Sequence, residues 1–280
     1  MIKIKLPGTK NIFIINDLSI SKSVENEIFN TFYPYAIELT KLSYDIRWDI
    51  WIERNDKNIR VKSRKNEWKI LTTGEMSPFD YYKRIYSIIR ENLQLEDEYC
   101  FLHGSAVLID GCTCLFLAET GMGKSTLSVY FDMYGHRCLT DDLIILNKKS
   151  HVIYPISRYA HIRKQGLFLF QNNTDSLIHN GLIDRYEYLL SEERFQYEHK
   201  VQYVFMLHRG FPITDVRVCD SAFEWVLENM FLPYQIKNNI NSAITISNDI
   251  PVFDMYYNNL EQAKILMLSL IKKAETIFEC

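Results

Sequence analysis

Eight consecutive residues, Ala118, Glu119, Thr120, Gly121, Met122, Gly123, Lys124 and Ser125, have the types and order of a phosphate loop, with alanine where that pattern opens on glycine. The chemistry explains the types. Glycines at 121 and 123 let the backbone turn its N–H groups inward as a concave anion nest, backed by the positive end of the helix that follows. Lys124 has the reach and charge for β- and γ-phosphates, and the Ser125 hydroxyl is placed to hold Mg²⁺. Residues 119–126, ending on Thr126, are therefore the candidate nucleotide-binding set. A merely glycine-rich turn is the alternative, and the context weighs against it, because a β-rich apolar run precedes the loop and a helical pattern follows it.

Metal-assisted phosphoryl transfer also needs carboxylates, one to orient Mg²⁺ and one to take a proton from the attacking hydroxyl. Asp141 and Asp142 stand at the end of a short apolar run. Adjacent carboxylates on extended chain face opposite ways, so they divide the work unless the backbone turns there. An aspartate pair that only opens a turn would read the same. His103 taken alone reads as a packed or strand-edge histidine. Arg158 and Arg163 carry guanidinium forks that suit phosphate oxygens, and either reads equally as a surface arginine. Arg60, Lys62 and Arg64 alternate on one strand, with Lys57, Lys65 and Lys69 nearby. That face would receive an acidic peptide or anionic small molecule, or simply be solvated. Cys112 and Cys114 share a strand face with no second pair or spaced histidine for zinc, and read as packing. The aromatic stretch 195–211 has residue types that stack bases, but its apolar positions suit a core strand better.

The elements that must position these groups are legible in outline. Ser105 to Ile109 and Cys112 to Leu117 are β-rich runs joined by Asp110-Gly111, the signature of a two-residue type I′ turn, so the loop is entered from an antiparallel hairpin. After the loop, Leu127, Tyr130, Phe131 and Tyr134 are spaced for one buried helix face, with Gly135 as C-cap. Strands are expected at 143–146, 151–154, 202–207 and 214–218, a helix at 221–231 ending before Pro233, and a long helix at 260–278 with Ala263, Leu266, Leu270, Ala274 and Ile277 on one side. Upstream, residues 1–75 are mostly period two, with Ile46, Trp48, Ile50 and Ile52 alternating and a turn at 55–58, which predicts a small antiparallel sheet. A helix at 79–92 carries Tyr82, Ile85, Ile88 and Ile89 and is expected to link the halves. No internal repeat is present.

The combination of His103-Gly104, the Asp-Gly hairpin, the loop from Ala118 to Ser125 and the pair Asp141-Asp142 resembles the HPr kinase/phosphorylase catalytic domain. It also resembles the related serine kinases of lasso-peptide precursors and the wider phosphoenolpyruvate-carboxykinase-like P-loop group. The spacings from His103 to the loop and from Lys124 to the aspartates match that family. The resemblance covers roughly residues 100–235 and implies an α/β (α+β mixed) P-loop kinase core with a mixed sheet. It implies Asp141 as general base, Asp142 holding Mg²⁺ with Ser125, His103 tuning the aspartate pair, and Lys124 and Arg163 acting on phosphate, with ATP as co-substrate. His161-Ile-Arg163 falls where the bifunctional enzymes carry an acidic residue before Ile-Arg. That departure removes a third carboxylate and weighs against a phosphorolytic reverse reaction. Asp184-Arg185 aligns with a basic position of the related kinases. Members of this family often assemble, which leaves a homo-oligomer open.

Composition bounds the rest. A chain of 280 residues with 47% hydrophobic and 24% charged residues, 10 Gly and 7 Pro buries a full core and is neither disordered nor low in complexity. A formal charge of −3 gives no global positive field for nucleic acid or an anionic membrane. Six dispersed cysteines read as reduced thiols, no apolar leader or spanning run is present, and a cytoplasmic location is expected. The expected organisation is a β-rich N-terminal domain at 1–95 for substrate recognition or assembly and a catalytic domain at 96–280. The expected activity is ATP- and Mg²⁺-dependent transfer to a hydroxyl, serine foremost, on a small protein, a precursor peptide or a small molecule. A nucleotide-binding regulator and a bifunctional kinase/phosphorylase are the alternatives.

Overall fold

The computed structural model describes residues 1–17, 19–39, 47–55, 58–63, 68–72, 75–170, 174–210, 214–231 and 235–278. Ile46, the two central residues Asp56 and Lys57 of the expected turn at 55–58, Arg64, Lys65, Pro233 and Cys280 lie outside them, as do the side chains of Ala274 and Ile277. The chain forms two compact units, one of residues 1–96, 156–158 and 181–183, the other of the remainder.

The first unit is a six-stranded sheet with two helices. In chain order these are β1 (Ile2–Ile4), β2 (Phe13–Asn16), α1 (Lys22–Thr31), β3 (Ala36–Glu38), β4 (Ile50–Asn55), β5 (Asn58–Ser63), β6 (Lys69–Thr72) and α2 (Pro78–Asn92). The strand order is β3-β1-β2-β4-β5-β6. The expectation of a purely antiparallel sheet is corrected at one joint, because β2 and β4 run parallel. Parallel neighbours need a crossover, and α1 lies within it. The helix expected at 79–92 is present as α2. It begins at Pro78 behind the N-cap Ser77 and belongs to this first unit, beside α1. On β5 the expected basic face is already engaged: Arg60 pairs with Glu53, and both Arg60 and Lys62 lie over the Trp68 ring.

The second unit holds β7 (Tyr99–Leu102), β8 (Ser105–Ile109), β9 (Cys112–Leu117), α3 (Lys124–Met133), β10 (Arg137–Thr140), β11 (Ile144–Asn147), β12 (Val152–Tyr154), β13 (Tyr159–Ile162), β14 (Leu177–Asn180), β15 (Arg185–Leu189), β16 (His199–Arg209), β17 (Asp215–Val218), α4 (Ala222–Glu228), α5 (Ile236–Asp249), β18 (Val252–Tyr257) and α6 (Leu260–Phe278). A mixed nine-stranded sheet runs β10-β8-β9-β16-β12-β11-β7, with β18 beside β16 and β17 beside β18. The small sheet β13-β15-β14 is separate. Strand β9 is antiparallel to β8 but parallel to β16, and β16 is parallel to β18.

Alternation along β9 and β16 explains why both are apolar throughout. Cys114 and Phe116 with Tyr203, Phe205 and Leu207 join the core under α3 and α6. Leu115 and Leu117 with Val204 and Met206 join the core that includes residues of α4 and α5. A sheet buried on both faces needs this pattern. The C-terminal helix buries Leu260, Ala263, Met267 and Ile271, so the expected stripe through Leu266 and Leu270 is off by about one position. Tyr134 is half exposed rather than buried, because α3 ends at Met133, and its ring meets the Lys264 ammonium instead. The helix expected to reach Phe231 stops at Glu228, and the Phe231 N–H then bonds the Phe101 carbonyl. Among the described residues no helix is long and apolar enough to cross a membrane, and Cys100, Cys112, Cys114, Cys138 and Cys219 are free thiols.

Candidate active site at the phosphate loop

The loop is carried by two local devices. Asp110 and Gly111 both have positive φ, 48° and 85°, the type I′ geometry that closes the β8–β9 hairpin. Gly121 and Gly123, at φ 94° and 97°, then make two left-handed steps before α3 begins at Lys124. Lys124 is buried, and its Nζ curls back to donate to the Ala118 carbonyl at 2.7 Å and the Glu119 carbonyl at 3.4 Å. Burial lowers the Lys124 pKa, against which Asp141 and Asp142 act. The Glu119 carbonyl also accepts from the Met122 N–H. A buried pair, Ser105 Oγ and Ser128 Oγ at 2.6 Å, ties the second turn of α3 to β8.

Asp141 and Asp142 follow β10, and the backbone does turn there. Asp142 sits at φ 66°, and the Leu143 N–H bonds the Asp141 carbonyl. The two carboxylates consequently have different surroundings. Asp141 is buried, with Oδ2 accepting the His161 N–H at 3.1 Å and the Ser125 hydroxyl near its carboxylate. Its Oδ1 is buried with no hydrogen-bond partner. Burial, then the neighbouring Asp142 charge, hold the Asp141 carboxyl above its ordinary value, the His161 N–H and the nearby Ser125 hydroxyl opposing them. The Asp142 carboxylate is largely exposed, with His103 Nδ1 3.3 Å away and also 3.1 Å from the Asp142 carbonyl oxygen. Desolvation acts to raise the Asp142 carboxyl, but the His103 bond and the charges of His103, His161 and Lys124 outweigh it and leave it below its ordinary value.

His103 is placed by the residue after it. A Cβ on Gly104 would stand 2.7 Å from the Phe116 carbonyl oxygen and from Leu117 Cδ2, so only glycine lets the chain press against the end of β9. The His103 N–H bonds the Asn229 carbonyl at 2.7 Å. Arg163, just after β13, puts a guanidinium nitrogen 3.9 Å from the position of a Cβ on Gly121. The 3₁₀ segment Lys164–Phe170 follows, and Gly166 presses on Thr126. The acidic position taken by His161 is not empty of carboxylate nearby. Glu187, its cross-strand neighbour on β15, lies 3.9 Å from His161 Nε2 and bonds Asn180 as well.

His103, Lys124, Ser125, Asp141, Asp142 and Arg163 thus gather around one loop. Arg158 does not join them in the second unit: its guanidinium lies over the Tyr33 ring of the first unit. Asp184 and Arg185 form the turn into β15, where Asp184 pairs with His179. Two residues were missed from sequence. Arg209, ending β16, lies 3.8 Å from a Cβ position on Gly123, and the Tyr257 hydroxyl, ending β18, lies 3.5 Å from it. Both stand at strand ends parallel to β9, a signal visible only once β16 and β18 are known to flank the loop strand. The residues fit Mg²⁺ and a phosphate chain: a buried carboxylate oxygen without a partner stands beside the hydroxyl of Ser125, next to a two-glycine cradle.

No family model matches the chain. A curated relative, the HPr kinase/phosphorylase of Malacoplasma penetrans (strain HF-2), is 30% identical over 83 residues, which are 30% of this chain and 26% of that protein. The match thus spans about a quarter of the relative's length. Among solved structures, the chain is similar to the Hpr(Ser) kinase/phosphatase from Coxiella burnetii, at 14% identity and a TM-score of 0.35, over 64% of this chain and 94% of that one.

Proposed function

We propose that this chain is an ATP- and Mg²⁺-dependent kinase that transfers the γ-phosphoryl group to a hydroxyl, serine foremost, of a small protein, a biosynthetic precursor peptide or a small molecule. The observation that carries the reading is the contrast between two adjacent carboxylates at a phosphate loop. Asp141 is buried, held high and keeps one oxygen open, while Asp142 is exposed, paired with His103 and held low. Carboxylates whose surroundings push them apart divide into base and ionised partner. The partial identity to an HPr kinase/phosphorylase agrees with this reading.

In this mechanism Asp141 Oδ1 accepts the proton of the attacking hydroxyl, and its raised pKa makes it the better base of the pair. Lys124, already held at the loop carbonyls, and the guanidinium groups of Arg163 and Arg209 supply positive charge to the phosphate oxygens. His103 keeps Asp142 ionised and oriented. Mg²⁺ held by Ser125 and Asp142 would draw charge from the β- and γ-phosphates. One proximity favours a second division of the same work: the Ser125 hydroxyl stands near the Asp141 carboxylate, which would put Asp141 on the metal side. Residues 1–95 would serve acceptor recognition or assembly, and the free cysteines suit a cytoplasmic setting.

The test is incubation with γ-labelled ATP, Mg²⁺ and a pool of small proteins, serine peptides and small hydroxyl compounds, with label followed by mass. Asp141→Asn should lose about 10²- to 10⁴-fold in transfer while still binding nucleotide. Lys124→Ala should lose binding. Transfer by Asp141→Asn at the wild-type rate would reject the base assignment. A rise in the Mg²⁺ requirement confined to Asp141→Asn, and absent from Asp142→Asn, would select the second division. Nucleotide binding without transfer to any acceptor, unchanged by Asp141→Asn, would favour a regulator. Release of phosphate from a phosphorylated acceptor would favour the bifunctional reading.

A further inference from the structure

The glycines that let the loop turn also leave its peptides free to reverse. Gly123 sits at φ 97°, and glycine adopts the mirror-image φ as readily. The Met122–Gly123 peptide can therefore rotate as a plate, and its orientation decides whether an anion meets an N–H or a carbonyl oxygen. One contact holds it. The hydroxyl of Tyr257, at the end of β18, donates to the Met122 carbonyl at 3.2 Å. Tyr257 is itself fixed: its ring is fully buried in the core, its residue pairs with Arg209 across β16, and its carbonyl accepts the Gly210 N–H at 3.1 Å.

Resting on the nucleotide reading above, we propose that Tyr257 is a positioning residue for the phosphate cradle, acting through the Met122–Gly123 peptide. In a planar trans peptide the carbonyl of one residue and the N–H of the next point to opposite sides. With the Met122 carbonyl held by Tyr257, the Gly123 N–H faces away from the hydroxyl and is available to phosphate oxygens. Without that bond the reversed peptide becomes accessible and would present an oxygen to the anion. Burial pushes the Tyr257 hydroxyl well above its ordinary pKa, so it remains a donor throughout the working range of pH.

Tyr257→Phe keeps the ring and removes only the hydroxyl. Full-length wild type and variant would be titrated calorimetrically with Mg·ATP and with Mg·tripolyphosphate, and the Gly123 amide resonance followed in ¹⁵N-glycine-labelled protein. The variant should bind both probes roughly tenfold more weakly, the scale of one buried hydrogen bond. Its Gly123 resonance should be displaced without ligand and respond less to either probe. Tyr256→Phe, which removes a hydroxyl bonded to Arg217, should bind as wild type. Equal affinities for wild type and Tyr257→Phe would overturn this inference alone. Weaker binding with an unchanged Gly123 resonance would also overturn it, as a packing effect. Wild type that bound neither probe would overturn both this inference and the nucleotide reading.

Discussion

Gly104 shows how much of the site rests on a missing methyl group. A Cβ there would meet the Phe116 carbonyl oxygen and Leu117 Cδ2 at 2.7 Å and Ile144 Cδ1 at 2.9 Å. The carbonyl cannot swing aside, because Phe116 is paired with Ser105 in the hairpin ladder. Gly104→Ala must therefore push the entry to β8 off β9, next to both His103 and the strand end that becomes the loop. Overpacking of this kind costs about 1–3 kcal/mol. Thermal unfolding should show a midpoint lower by roughly 5 °C, and nucleotide affinity should fall with it. The sequence presented His103-Gly104 as a pair without saying why. The glycine is there for backbone contact, and the histidine reaches Asp142 because the glycine permits it.

At the scale of elements, β16 ties the site together: it lies beside β9, carries Arg209 at one end and begins at His199 at the other. His199 is buried, with Nε2 2.8 Å from the Arg194 carbonyl. Burial lowers its pKa below the ordinary 6.5, with the carbonyl opposing and Arg137 adding to the effect. Above pH 6.5 the ring is neutral in folded and unfolded chains alike, and the native state keeps its full stability. As pH falls from 6.5 through the lower folded value, the unfolded chain takes the proton first and stability is lost. Denaturant unfolding should therefore give a smaller free energy at pH 5 than at pH 7, and His199→Gln should flatten that slope. His136, lowered first by burial, acts in the same direction and should leave a residual slope. The elements around the loop were legible because their signals are local: Asp110-Gly111 for the turn, two glycines for the loop, helical spacing after it. The parallel joint between β2 and β4 was not, because pairing direction depends on a crossover and not on the strands themselves. Helices α1 and α5 were missed although their apolar residues recur at helical spacing, Val24 and Ile28 in α1 and Ile236, Ile240, Ala243 and Ile244 in α5, because the Asn, Ser and Glu between them read as loop residues. Asp141 and Asp142 were found as types, but their unlike surroundings arise from the positive φ at Asp142 and from β13, which no spacing reveals.

Over the whole molecule the formal charge is −3, so attraction for a polyanion has to arise locally, from Lys124, Arg163 and Arg209 at the loop. On the basic strand of the first unit Glu53 offsets the charge of Arg60, while Arg60 and Lys62 lie over the Trp68 ring. All residues gathered at the loop belong to the second unit: Lys124 and Ser125 follow β9 and Arg209 ends β16 inside its large sheet, Asp141 and Asp142 follow β10 at one end of that sheet, His103 follows β7 at the other, and Arg163 follows β13 of the small sheet. A ligand that binds only the folded form raises its stability by about 2.7 kcal/mol at a hundredfold excess over Kd. Mg·ATP at that excess should raise the unfolding midpoint of wild type by several degrees and slow amide exchange in peptides covering 118–126 and 137–142. Lys124→Ala should abolish both effects while unfolding near the wild-type midpoint without ligand, because its ammonium bonds only carbonyls of the loop it serves. Slowed exchange in those peptides of Lys124→Ala, at the wild-type concentration of Mg·ATP, would mean that the loop holds the nucleotide without Lys124 and would overturn the role given to its ammonium.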